Sequence, residues 1–177
     1  LTVDYDHEKS YYNFFQHPYI NAADVHARVD WCGRAVFYQI FVDRFCRGDR
    51  EKDTSYINKK WGEIPDPKSF YGGDLKGIIG KLDYLSELGI TALYLTPVFR
   101  SPSNHKYDTV DYDRVDEMFG SNDDLKELVR LAHRRGMKVI LDAVFNHCSM
   151  LCAPFQDVMK NGKASAYSDW FIVHGEK

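Results

Sequence analysis

The stretch LDAVFNHCS, Leu141–Ser149, sets a carboxylate, an amide and an imidazole close together where an apolar run breaks off. Asp142, Asn146 and His147 could accept or donate hydrogen bonds to a polar ligand. A lone histidine at a strand end is more often structural than functional, so the reading depends on whether matching chemistry occurs elsewhere in the chain. Tyr107, in the string HKYDT, offers an aromatic face beside polar neighbours. With twelve tyrosines in the chain, its default role is packing. His147, Cys148 and Cys152 could be grouped as zinc ligands, but no CxxC pair accompanies them and a fourth ligand is missing.

Regular elements must hold these residues in place. The apolar run AVFYQIFVDRF (35–45) reads as a strand that ends in charge, and a long polar loop follows it. In FYGGDLKGIIGKLDYLSELG, Leu75, Ile78, Ile79, Leu82 and Leu85 recur at helical spacing, with Asp74 placed to cap the helix and Gly89 to stop it. ITALYLTPVF (90–99) is β-branched and aromatic, a second strand with Pro97 near its end. SNDDLKELVRLAHRRG is a second helix. Ser121 and Asp124 form a capping-box pattern, Leu125, Leu128, Val129 and Ala132 form the inner stripe, and Gly136 ends it. MKVILDAVFN (137–146) is the third strand. Met150–Lys177 shows no regular period.

Strands alternating with helices predict an α/β fold with parallel pairing. Polar residues gather at the strand ends: Asp43 and Arg44, then Thr96, then Asn146 and His147. A nucleotide-binding sheet would also place ligands there, but its phosphate loop is missing: GGDLKGIIGK fits neither GxGxxG nor GxxxxGK[ST]. The long loops after each strand favour a barrel.

Composition narrows the class further. The 177 residues are 44% hydrophobic and 15% aromatic, enough for a globular core. A net charge of −3 with interspersed signs gives no basic stripe for nucleic acid. No apolar run reaches the roughly 20 residues that cross a bilayer, which argues against a membrane partner. The four cysteines are too sparse for a disulfide scaffold and read as free thiols in a reducing compartment, hence a cytoplasmic setting.

The strings VFYQIFVDRF, FYGGDLKGIIGKLDYLSELGITALYLTPVFRSPSNHKYDTVDY and LDAVFNHCS, in this order and at these distances, resemble the alpha-amylase family, glycoside hydrolase family 13. Within it they resemble the neopullulanase, cyclomaltodextrinase and maltogenic amylase group. The resemblance implies a partial (β/α)8 TIM barrel, its first three β/α units at 21–147. Residues 1–20 would be the remnant of an N-terminal β-sandwich or a linker, and 148–177 the beginning of an inserted B domain.

DAVFNH matches the family's D-x-V-x-N-H motif. His147 would contact the sugar being cleaved, Asp142 would support an arginine from a later strand, and Asn146 would anchor the loop above or, as in some relatives, ligate calcium. Tyr107 would be the ring on which the reacting glucose stacks, a phenol face against apolar C–H groups. The loop RGDREKD with GGD resembles the group's calcium loop, implying calcium on Asp49, Asp53, Asp74 and the Gly72 carbonyl. Arg47 and Lys52 depart from the pattern, standing where the group has oxygen-bearing side chains.

Family members cleave α-glucosidic bonds with retention, using two carboxylates about 5 Å apart. These lie on later strands, so the resemblance implies no catalytic residue in this chain and a catalytically dead fragment. The expected parent is a hydrolase or transglycosylase of cyclodextrins, pullulan, starch or maltooligosaccharides, with a possible homodimer through the N-terminal domain. The alternative is a non-catalytic carbohydrate-binding or assembly protein on the same scaffold.

Overall fold

A computed structural model describes residues 29–173. The chain divides into two units, Leu1–Arg34 and Ala35–Lys177. Of the first, the described part is a single 3-10 turn at Cys32–Arg34 and its approach. The β-sandwich expected of residues 1–20 lies outside the described residues.

The second unit is built on three parallel strands, β1 (Phe37–Ile40), β2 (Ala92–Leu95) and β5 (Lys138–Leu141), in the order β1-β2-β5. Phe37 pairs with Ala92 and Ile40 with Leu95, while Ala92 pairs with Lys138 and Leu95 with Leu141. The three carboxyl ends are therefore level. The ladder continues one step beyond them, with Thr96 N donating to Ile40 O and Asp142 N to Leu95 O, both at 3.0 Å. Each strand is shorter than its apolar run predicted: Phe41 breaks from the ladder into a 3-10 turn at Val42–Arg44, and Pro97 helps end β2 because it has no amide to donate.

The crossover between β1 and β2 differs from the single helix expected. It folds as α1 (Leu75–Ile79) and α2 (Leu82–Glu87), broken at Gly80–Lys81, where Lys81 leaves helical geometry at φ −110° and ψ 5°. Gly80 has the greatest backbone entropy to lose in a helix, so the break falls where continuity is weakest. The stripe survives the break, because Leu75, Ile78, Leu82 and Leu85 are all fully buried against the sheet. α3 (Asn122–Arg134) forms as expected, with Ser121 and Asp124 exchanging both capping-box bonds. Leu128 and Ala132 are its most buried positions, and Gly136 adopts φ 75° just beyond its end.

Three elements escaped the sequence pattern. β3 (Phe99–Arg100) and β4 (Asp111–Val115) pair antiparallel across a register shift, turning the segment between β2 and α3 into a small hairpin. α4 (Ala153–Asn161) lies in the stretch read as aperiodic, with Pro154 in its first turn.

Candidate sugar site and cation cradle

Asp142 leaves the end of β5, and the phenol of Tyr107 donates to its Oδ2 at 2.7 Å. This bond joins two of the residues singled out in the sequence, 35 positions apart. Burial adds to the carboxylate's effect, and the Tyr107 phenol is pushed up to about 12, its hydrogen bond to Asp142 being the main cause. The ring of Tyr107 stays exposed. Tyr94, pointing from β2, also has its phenol raised by the Asp142 carboxylate. Asn146 and His147 follow in the loop after β5 and are exposed.

Their loop is strapped to the hairpin. Tyr112 of β4 donates to Val144 O at 2.7 Å and to His147 O at 3.1 Å, and Ser149 N donates to Thr109 O at 2.9 Å. The tyrosine-bearing and histidine-bearing loops are thus held together at one end of the sheet.

What fixes Tyr107 was not visible in the sequence. Its neighbour Lys106 has no exposed surface and a left-handed backbone, φ 61°. The Lys106 ammonium meets Asp116 Oδ2 at 2.9 Å and Ser101 O at 2.8 Å, and sits 5.1 Å from the Phe119 ring centroid. Asp116 in turn accepts from the amides of Ser101 and Met118. Desolvation lowers the Lys106 pKa, and the Asp116 carboxylate works against that shift. An interior charge with this many partners can hold an uncommon backbone conformation in place. His105 adds a further support, accepting from the Tyr107 amide at Nδ1, 3.1 Å away; in this arrangement the ring proton sits on Nε2. Asp108 binds the hydroxyls of Ser101 and Ser103. Burial works to raise its pKa, but these hydroxyls hold it below the ordinary carboxylate range.

Asp49, Asp53, Gly72 and Asp74 do not form a common oxygen shell. Asp49 pairs with Lys76 at 2.6 Å, and Asp53 turns back onto the amide and hydroxyl of Ser55, both at 2.8 Å. Asp74 caps α1 through Gly77 N at 2.7 Å and also accepts from Gly48 N and Asp49 N. Gly72 O and Asp74 Oδ2 meet on the ammonium of Lys52. The backbone here needs its glycines: Gly72 adopts φ 82°, and a Cβ on Gly77 would fall 2.0 Å from Cys46 O. Buried Asp43 orders the same turn, accepting from Tyr71 N and Gly72 N. Among the described residues, no three His, Cys, Asp or Glu side chains gather as metal ligands. The four cysteines are free, and Cys148 is pushed up to about 11 by burial and by the nearby Cys152.

Level parallel strand ends, with a tyrosine–carboxylate bond tying the loop after β2 to the end of β5, form an α/β site, and comparison with known proteins names its family. The profile described as "Alpha amylase, catalytic domain" matches residues 39–177, and the chain belongs to the alpha-amylase family. Over 167 residues it is 51% identical to a cyclomaltodextrinase of Thermoanaerobacter pseudethanolicus, covering 94% of this chain and 29% of that protein. It is 49% identical to neopullulanase 2 of Thermoactinomyces vulgaris, covering 94% and 28% respectively. Among solved structures, the cyclic alpha-maltosyl-(1→6)-maltose hydrolase of Arthrobacter globiformis superposes with a TM-score of 0.75 at 44% identity, over 82% of this chain and 33% of that one. The same hydrolase has been solved in complex with maltose. The chain spans no more than about a third of the length of these relatives.

Proposed function

We propose that this chain supplies the sugar-binding wall of a retaining glycoside hydrolase or transglycosylase acting on cyclodextrins, pullulan, starch or maltooligosaccharides. The observation that carries the reading is the Tyr107–Asp142 bond at the carboxyl end of β5, which leaves an exposed phenol ring locked in one orientation. A glucose ring presents an apolar C–H face, and a fixed aromatic platform orients it at small entropic cost. Exposed His147 and Asn146 would hydrogen-bond sugar hydroxyls at the rim, while Asp142 holds the platform and would support a cationic partner. No residue of this chain is assigned as nucleophile or acid/base. Retention requires two carboxyl groups about 5 Å apart on either side of the scissile bond, and the chain's contribution is binding and orientation. An intracellular setting is supported by a similar protein named intracellular maltogenic amylase from Bacillus subtilis.

The test compares the 177-residue chain with the longest native polypeptide that contains it, on cyclodextrin and maltooligosaccharide, following the product anomer by NMR. Turnover with retention is expected from the longer polypeptide, and Tyr107→Ala should raise KM more than it lowers kcat. Turnover by the 177 residues alone would overturn the assignment. Binding without turnover by the longest polypeptide would favour the non-catalytic carbohydrate-binding alternative.

A further inference from the structure

The side chain of Lys52 is enclosed, with 8% of its surface exposed, and its ammonium lies among four oxygens. Gly72 O is at 2.7 Å, Met118 O at 2.9 Å, Asp74 Oδ2 at 3.1 Å and Gly73 O at 3.4 Å. Three of these are backbone carbonyls and one is a carboxylate, the donor set that a hard divalent cation would also choose. Tyr56 closes the cradle: its ring centroid is 5.8 Å from the ammonium, and its hydroxyl donates to Met118 O.

A calcium ion does not fit alongside this arrangement. It takes six to eight oxygens at about 2.3–2.6 Å, and those oxygens are committed elsewhere. Both Asp74 oxygens are held, Oδ1 by Gly48 N and Gly77 N, Oδ2 by Asp49 N and the ammonium. The carboxylates of Asp49 and Asp53 face Lys76 and Ser55. We infer that the Lys52 ammonium is the resident cation of this cradle, a tethered substitute for calcium that joins the loop after β1 to the 72–74 turn and to the loop before α3. The tether matters physically. A mobile ion must be recruited from solution, whereas an ammonium on the chain is present at every calcium concentration and is lost only by unfolding or substitution. Three rotatable N–H donors can satisfy carbonyls from three directions, which a planar guanidinium could not do as well.

The test uses the longest native polypeptide, with melting temperature and terbium luminescence as readouts, since Tyr56 is near enough to sensitise a lanthanide in the cradle. The wild type should melt at the same temperature in millimolar calcium and in chelator, and should give no sensitised emission that calcium displaces. Lys52→Met should melt about 5–10 °C lower regardless of calcium. Lys52→Asn, which removes the ammonium and adds an oxygen, should recover part of that loss on calcium addition. Calcium stabilisation of the wild type, or terbium emission from it that calcium quenches, would overturn the inference. So would a Lys52→Met protein that melts like the wild type. If both variants fail to fold, the wild-type metal titrations decide the question alone.

Discussion

Tyr107 owes its orientation to one carboxylate and one buried ammonium, and the two make separable predictions. Because the hydrogen bond to Asp142 pushes the folded phenol up to about 12, against about 10 for a free tyrosine, the folded state holds this proton more tightly. The stabilisation is complete below pH 10 and is lost as pH rises from 10 to 12. Asp142→Asn should move the Tyr107 titration back towards 10, followed by NMR of the ring carbon bearing the hydroxyl, and an unmoved titration would show that Asp142 is not the cause. Lys106→Met should cost about 3–5 kcal/mol in urea unfolding, because it strands Asp116 in the interior. Adding Asp116→Leu to that variant should recover part of the loss. The sequence alone marked Tyr107 and Asp142 but not their bond, since the residues are 35 positions apart and nothing local encodes the meeting. It passed over Lys106 entirely: lysine is rarely buried, and a left-handed φ at a residue other than glycine has no pattern to read.

At the scale of elements, legibility followed periodicity. α3 was readable to its cap because a strong stripe and a capping box occur together, and Ser121→Ala should cost about 1 kcal/mol in chemical denaturation. The helix before β2 was readable as a buried stripe but not as two pieces, since residues at i, i+3 and i+4 keep the same face across a two-residue break. Gly80 sits at φ −66°, and a Cβ there would meet nothing nearer than 3.5 Å. Gly80→Ala is therefore expected to stabilise by about 0.4–1 kcal/mol through the unfolded chain, and a destabilised variant would show that the break itself is required. The hairpin of β3 and β4 was hidden because β3 is two residues long and β4, DYDRV, is mostly polar. Alternation between a buried and a solvated face gives no signal when both faces are largely wet.

For the molecule as a whole, the parallel sheet carries one neighbour on β2's either side and leaves β1 and β5 each paired on a single edge among the described residues. Phe145 is 83% exposed, and Met150, Trp170 and Ile172 are also largely bare. Open edges and apolar surface of this kind favour association, so the isolated 177-residue chain should sediment as a concentration-dependent mixture; a clean monomer at high concentration would contradict this. The interior charges are connected as well. Lys52 binds the carbonyl of Met118, and Lys106 touches its sulfur at 3.4 Å. One residue is thus the keystone between the loop that leaves β1 and the platform under the proposed sugar. Loosening either lysine should slacken the other's grip, so the losses caused by Lys52→Met and Lys106→Met should depart from additivity by about 0.5–3 kcal/mol. Wear at Met118, such as conversion of its thioether to a sulfoxide, would then be felt at two remote loops at once.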